Sequence, residues 1–311
     1  MIIRNNRHSL RPILHLVLIM APLSNTEALS LKTGWSEKRQ QFAANLSQTQ
    51  KEKLRDAGAL GLERPIAIRA ELIDGRSAEQ YMREDSSSSS EMDTKIIHFQ
   101  RHGQGYHNLL GEVWRNLGFD IDIDCPDPSE NPFVKPEIRD SPLTETGRKE
   151  CSDQRHEASM ISPEVVVVSP LLRTLQTAQL TFSDHEGRVP WVAHEGCREQ
   201  LGLLTCNQRR PLSEIMVDFP GVDFGCVETE EDVMWDPHRR EAAVEESERI
   251  YKFLTEFIRN RPEREIAVVT HSAWLFNMCN AVMDCGEDES LMAWFLTSEI
   301  RSMRVSFSDK K

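Results

Sequence analysis

Two histidines and two arginines occupy positions from which this sequence could perform phosphoryl chemistry. Arg101 and His102 are adjacent, and Arg173 and His271 follow much later in the chain. Two arginines can bind a phosphoryl group through charged, often bidentate hydrogen bonds. A neutral imidazole can attack phosphorus, and a second imidazole can donate a hydrogen bond to the oxygens as their charge develops. The four residues therefore indicate phosphoryl transfer through a phosphohistidine.

Apolar segments that precede these residues position them. We predict strands at 95–100, 165–169, 191–194 and 265–270, and an edge strand at 302–307. The run of four valines in the second segment is typical of a strand buried on both faces of a parallel sheet. Ligands bind at the carboxyl ends of such strands, so we expect the two histidines and two arginines to converge at one edge.

Helical segments separate the predicted strands, at about 105–117, 142–160, 170–182, 239–260 and 272–284. This alternation predicts an α/β domain with a largely parallel central sheet and helices on both faces. Pro170 suits the start of a helix. Gly103 is expected to let the backbone turn sharply after His102.

The N-terminal part of the chain is expected to lie outside this domain. Residues 1–28 carry arginines, an apolar run and small residues in the order of a secretory signal peptide. An organelle transit peptide, or a cytoplasmic chain in which the segment is unused, are the alternatives. Residues 29–92 read as a helical or disordered extension with a serine-rich linker at 86–90, and 93–311 as the catalytic domain.

Composition excludes several classes of protein and partner. The 311 residues carry 37 Lys and Arg against 50 Asp and Glu, and this net charge of −13 argues against a nucleic-acid partner. No segment reaches the roughly 18 uncharged apolar residues of a stable membrane span. The spacing of His98, His102 and His107 lacks Cys or carboxylate partners, so we expect no metal and no cofactor. The sequence does not determine the oligomeric state.

The motifs resemble those of a known family. They are Arg101-His102-Gly103, Ser169-Pro170-x-x-Arg173-Thr174-x-Gln176-Thr177 and Thr270-His271. Taken in this order at strand ends, they are similar to the motifs of the histidine phosphatase superfamily. The resemblance covers about residues 94–285 and is nearest to the plant and fungal phosphoglycerate mutase-like proteins.

The resemblance implies a role for each matched position. His102 matches the nucleophile that becomes phosphorylated. Arg101, Arg173 and His271 match the rest of the phosphate pocket, and Asn108 matches an asparagine often found against phosphate. Asp140 and Thr144 match the signal for a helix start, where Thr144 is a natural N-cap.

The proton donor has two candidates. The superfamily supplies a Glu or Asp after the third strand, usually with a glycine shortly after it, and Glu195 and Glu199 both qualify. The stretch Arg198-Glu199-x-x-Gly202 fits better, so we favour Glu199. The following segment, up to about residue 240, is either a solvated surface or a lid that brings Arg209 or Arg210 to an anionic substrate.

These features predict a metal-independent phosphomonoester hydrolase that acts on a small phosphorylated metabolite. A phosphoglycerate-type mutase, or a non-catalytic module that binds phosphate esters, would use the same pocket. The predicted catalytic residues are His102, Glu199 and His271, and the predicted substrate-binding residues are Arg101, Arg173, Asn108 and Gly103.

Overall fold

The computed structural model describes residue 41 and residues 43–73 and 93–310. The signal-like segment at 1–28 and the serine-rich linker at 86–90 lie outside these residues. None of the described helices is both long enough and apolar enough to cross a membrane.

Seven strands form one sheet within the described residues. They are β1 (Ile66–Leu72), β2 (Asp93–Arg101), β3 (Val165–Val168), β4 (Trp191–His194), β5 (Asp223–Cys226), β6 (Glu265–Thr270) and β7 (Ile300–Asp309). Their order is β1-β7-β2-β6-β3-β4-β5. The five strands from β2 to β5 in this order are parallel, and β7 is antiparallel to both β1 and β2. The predicted α/β fold with a largely parallel sheet is confirmed.

Helices connect the strands much as the sequence predicted. They are α1 (residues 43–56), α2 (Tyr106–Asn116), α3 (Glu145–Ala158), α4 (Leu172–Thr181), α5 (Leu212–Asp218), α6 (Ala243–Lys252), α7 (Ser272–Asn277) and α8 (Glu289–Met292). Helices α6 and α7 continue as π-helical segments, Phe253–Ile258 and Met278–Val282. The sequence reasoning missed β1, β5, α5 and α8, which are short or lie in polar segments.

Alternate residues of the central strands face opposite cores. Val165 and Val167 pack in one hydrophobic cluster with residues of α6 and α7. Val166 and Val168 pack in a second cluster with residues of α3, α4 and α5. All four valines are fully buried. The helices therefore cover both faces of the sheet, which explains why this strand is apolar throughout.

Two predictions about which strands lie at one side of the sheet were wrong. The last strand, β7, is not an edge strand, because it pairs with β2 on one side and with β1 on the other. Strand β1 lies in the segment at 29–92, where we expected only helix or disorder. Its buried Ile68 and Ala70 alternate with more exposed neighbours, so the segment before the linker contributes a strand to the sheet.

Candidate active site

His102 directly follows β2 at the carboxyl edge of the parallel strands. Its backbone N–H donates to the Thr270 carbonyl at 3.0 Å, which extends the pairing with β6 by one residue. Its ring Nδ1 lies 2.7 Å from the Gly103 carbonyl oxygen. Because a carbonyl can only accept, Nδ1 carries the hydrogen and Nε2 holds the lone pair. This is the tautomer that a nucleophilic Nε2 requires.

The surroundings of His102 keep its ring neutral. The side chain is 1% exposed. Burial, followed by the positive charge of Arg173, lowers the pKa of His102 well below its ordinary value, and Arg101 acts in the same direction. Only an unprotonated imidazole can attack phosphorus, so these surroundings favour a nucleophile at neutral pH.

His271 brings a second imidazole to the same place. Its ring centroid lies 5.2 Å from that of His102, and its Nε2 lies 2.8 Å from the Ser169 hydroxyl oxygen. That buried hydroxyl has no other partner among the described residues, so it donates to Nε2 and leaves the hydrogen on Nδ1. Nδ1 is itself buried and makes no hydrogen bond to any described residue. An unsatisfied buried donor is rare, and here it is available to a ligand oxygen.

Arg173, on the first turn of α4, is fully buried. Its two terminal nitrogens donate to the Cys206 carbonyl at 2.7 Å and to Asn207 Oδ1 at 2.9 Å. Burial lowers the pKa of Arg173, although a guanidinium group stays protonated at any working pH. This arginine is therefore a fixed cation inside the site rather than a surface residue of the helix.

Arg101, the last residue of β2, supplies the second cation. It is 9% exposed and donates from Nη1 to the Phe295 carbonyl at 2.7 Å. The charges of Arg101 and Arg173 both lower the pKa of His102. The four residues predicted from the strand ends thus converge as expected.

Glu199 lies against the start of α7, next to His271. Its carboxylate accepts hydrogen bonds from the Trp274 backbone N–H at 3.1 Å and from the Ser272 hydroxyl at 3.3 Å. The side chain is half-buried, and its charge acts on Arg173. The structure therefore brings Glu199 to the rim that holds the histidines and arginines.

Glu195 takes part in a different arrangement. One of its oxygens accepts from Arg198 at 2.9 Å and the other from Arg209 at 2.9 Å, and both arginines are fully buried. Arg198 also pairs with buried Asp232 at 2.6 Å. This ion-pair network engages both oxygens of Glu195 and ties the loop after β4 to later segments.

Of the two alternatives for this segment, the lid that brings Arg209 or Arg210 to the substrate does not agree with the contacts of these arginines. Arg209 donates to Glu195 and to the backbone carbonyls at 229, 230 and 231. Arg210 pairs with Asp140 at 3.2 Å and with Asp218 at 3.0 Å. Both guanidinium groups therefore hold the loop together instead of facing a ligand.

Gly103 is needed for a reason other than the expected sharp turn. Its backbone is outside the left-handed region, but a Cβ there would lie 2.6 Å from the Gly147 carbonyl oxygen and 2.7 Å from Cys151 Sγ. The loop thus packs directly onto α3. Its N–H donates to Thr177 Oγ1 at 3.1 Å, so the last residue of the second motif helps to hold the loop that carries His102.

Asn108 and the predicted helix-start residues act mainly as caps. Asn108 Oδ1 accepts from the Gly105 N–H at 2.9 Å, at the start of α2, so only the amide nitrogen is left for a phosphate. Thr144 is the N-cap of α3, as predicted, and accepts from the Gly147 N–H at 3.0 Å. Asp140 accepts from the Leu172 N–H at 2.8 Å at the start of α4.

A third histidine, His107, was not assigned to the site from the sequence. Its ring centroid lies 5.5 Å from that of His102. The only sequence signal for this position is its place on the first turn of the helix that follows the first motif.

A parallel α/β sheet with two histidines and two arginines at its carboxyl edge defines a phosphoryl-transfer site of the histidine phosphatase type. The family model described as the histidine phosphatase superfamily, branch 1, matches residues 137–304, and the chain belongs to this superfamily. Its curated relatives place it in the phosphoglycerate mutase-like branch.

The chain is similar to two curated relatives and to one solved structure, as follows. Phosphoglycerate mutase-like protein 1 of Arabidopsis thaliana is 33% identical over 244 residues, which cover 68% of this chain and 81% of the relative. A probable phosphoglycerate mutase of Arthroderma benhamiae is 27% identical, over 60% of this chain and 58% of its own. The structure of a mycobacterial glucosyl-3-phosphoglycerate phosphatase is 19% identical, over 69% of this chain and 98% of its own, with a TM-score of 0.41.

Proposed function

We propose that this protein is a metal-independent phosphomonoester hydrolase that acts on a small phosphorylated metabolite through a phosphohistidine at His102. The observation that carries the proposal is the pairing of two imidazoles in complementary tautomers. His102 presents a lone pair at Nε2, and His271 presents an unsatisfied N–H at Nδ1. Arg101 and Arg173 supply the positive charge that a phosphate dianion needs.

In the first step, Nε2 of His102 attacks phosphorus. The P–N bond forms while the P–O bond to the alcohol breaks. The two arginines and His271 Nδ1–H stabilise the charge on the transferred oxygens. Glu199 is the general acid of this step and gives a proton to the leaving alkoxide.

In the second step, water attacks the phosphohistidine. The Glu199 carboxylate takes a proton from that water, the new P–O bond forms, and the P–N bond breaks. Inorganic phosphate leaves, His102 regains its lone pair, and Glu199 regains its proton. The cycle consumes one water for each ester and needs no other reactant.

Mutase chemistry is the second candidate, and the names of the relatives favour it. The first step would be the same. The phosphoryl group would then return to a different oxygen of the bound alcohol instead of passing to water. The two functions therefore differ in what happens to the phosphohistidine.

The test measures inorganic phosphate release, in the presence of a chelator, from p-nitrophenyl phosphate and a panel of sugar and glycerate phosphates. The variants are His102→Ala and a matched control, His156→Ala, which changes an exposed histidine of α3. We expect release by wild type and the control, and none by His102→Ala. Interconversion of phosphoglycerates without release would favour the mutase, and binding without either reaction would favour a non-catalytic module.

A second experiment tests the intermediate. Wild-type protein mixed with ³²P-labelled substrate and quenched in alkali is expected to carry label that acid removes, as a phosphohistidine does. His102→Asn should carry none. Label that remains on the His102→Asn protein would contradict the proposed nucleophile.

A further inference from the structure

A third imidazole lies beside the reacting histidines. The ring centroid of His107 is 5.5 Å from that of His102, about as near as that of His271, at 5.2 Å. No step described above uses His107. Its position, half-buried on the first turn of α2, raises the question of what its ring does.

The absence of a side chain at Gly105 leaves space for the His107 ring. A Cβ on Gly105 would lie 2.7 Å from both Nδ1 and Cε1 of His107, so any other residue at 105 would push the imidazole away. Gly105 also forms an antiparallel bridge with Leu143, and the Tyr106 N–H donates to the Pro142 carbonyl at 3.0 Å. These contacts hold the first turn of α2 against the loop that carries Ser141.

Ser141 determines which nitrogen of His107 carries the hydrogen. Its hydroxyl oxygen lies 3.0 Å from Nδ1, and the side chain is 1% exposed. The hydroxyl has no other partner among the described residues, so its hydrogen is satisfied only by donation to Nδ1. Nε2 therefore carries the ring hydrogen, and no described residue accepts it.

The same two arginines, Arg101 and Arg173, act on His107 and on His102. Burial, followed by Arg173 and then Arg101, lowers the pKa of His107 well below its ordinary value. The same two arginines act on His102, so the three groups share one electrostatic environment. A neutral N–H donor beside two guanidinium groups can bind an anionic oxygen without adding a third positive charge.

We propose that His107 is a further substrate-binding residue, whose Nε2–H donates a hydrogen bond to a phosphoryl oxygen, with Ser141 as the positioning residue that fixes its tautomer. The inference rests on the proposed phosphoryl-transfer function. It gives the pocket two imidazole donors, from His271 and His107, whose ring centroids lie 5.2 and 5.5 Å from that of His102.

The first test compares His107→Phe, which keeps a ring but no donor, with His107→Gln, whose amide nitrogen can replace Nε2. The readouts are the Kd of inorganic phosphate by calorimetry, KM, kcat and Tm. We expect His107→Phe to weaken phosphate binding at least tenfold, as for the loss of a charged hydrogen bond, and His107→Gln to recover most of it. Wild-type affinity in a folded His107→Phe protein would overturn the proposal.

Ser141→Ala tests the positioning role. Without the hydroxyl, the His107 ring can move its hydrogen to Nδ1 and lose the donor at Nε2. We expect a higher KM and weaker binding of phosphate, whereas kcat should change much less. A Tm close to that of the wild type would show that the variant is folded. Equal changes in kcat and KM would contradict a role in positioning a binding group.

A measurement on the wild-type protein keeps the proposal testable if a variant fails to fold. In protein labelled with ¹⁵N-histidine, the Nε2 signal of His107, assigned by comparison with His107→Gln, should shift on titration with inorganic phosphate. An unmoved signal while His102 and His271 respond would overturn the proposal. Phosphate binding without any ester hydrolysis would instead refute the proposed function and leave the role of His107 measurable.

Discussion

Replacing Gly103 with alanine should damage catalysis although no reacting atom changes. The added Cβ would lie 2.6 Å from the Gly147 carbonyl oxygen and 2.7 Å from Cys151 Sγ. The first contact must open by about 0.8 Å to reach the 3.4 Å of an ordinary contact. Because Gly147 is held inside α3, the loop after β2 has to yield instead.

The Gly103→Ala substitution should lower both stability and activity, because the loop is tightly packed and carries His102. Overpacking of this kind costs about 1–3 kcal/mol of unfolding free energy, which corresponds to a Tm lower by roughly 2–12 °C in a domain of this size. The Gly103 carbonyl also holds Nδ1 of His102. A misplacement of a reacting group by about 1 Å lowers the rate roughly 100-fold, so under the proposed function kcat/KM should fall by about that factor.

The assay compares Gly103→Ala with Gly221→Ala, by thermal unfolding and by kcat/KM for p-nitrophenyl phosphate. Gly221 is an exposed glycine outside the left-handed region, and a Cβ there meets only Glu186 Oε1, at 4.0 Å. The control should therefore behave as wild type. If Gly103→Ala also matched wild type in Tm and kcat/KM, the close packing of this loop on α3 would have no role in placing His102.

Four further predictions concern other parts of the molecule. Glu199→Gln should lower kcat about 10²–10⁴-fold for alkyl phosphates and much less for p-nitrophenyl phosphate, whose leaving group needs no proton; an equal loss for both would argue against a general acid. Glu195→Gln should instead cost about 3–5 kcal/mol of unfolding free energy, because it breaks a buried ion pair, and denaturant unfolding would measure this. Burial lowers the pKa of His194 to about 4, whereas in the unfolded chain it is about 6.5. Between these two pH values only the unfolded chain binds a proton at His194, so the free energy of unfolding decreases as the pH falls. His194→Asn should flatten the slope of unfolding free energy between pH 6.5 and 4 by up to about 1.4 kcal/mol per pH unit; an unchanged slope would refute this. Removal of residues 1–42 should leave a folded domain, because residues 43–311 form a compact unit of their own, whereas removal of residues 1–72 also takes away α1 and β1 and should lower Tm; equal Tm values would contradict a structural role for these two elements.

The fold was predictable where local composition matched burial. The valines of β3 are buried on both faces of the sheet, and a run of β-branched residues indicates such a strand without further context. Strand β1 was not predictable in this way. Its residues alternate with charged ones in a polar stretch, and its partner lies more than 200 residues away, as in the pairing of Ile66 with Asp309.

The sequence also could not distinguish between the two glutamates that were candidates for the proton donor. Glu195 and Glu199 lie four positions apart, and both satisfy the expected pattern after β4. Only the tertiary structure assigns Glu195 to buried Arg198 and Arg209, and Glu199 to the start of α7 beside His271. Burial decided this outcome, because two fully buried guanidinium groups require a carboxylate close by.

By itself, the sequence determined the residue types at the strand ends, and with them the chemistry of two cations and two imidazoles at one edge of a parallel sheet. The periodicity of the strands carries that information, since parallel strands must deliver their carboxyl ends to the same side. Only the tertiary structure decided which ring nitrogens carry hydrogen and that His107 joins the site. Those features depend on hydrogen bonds between groups far apart in the chain, such as His271 with Ser169 and His107 with Ser141, which no local pattern encodes.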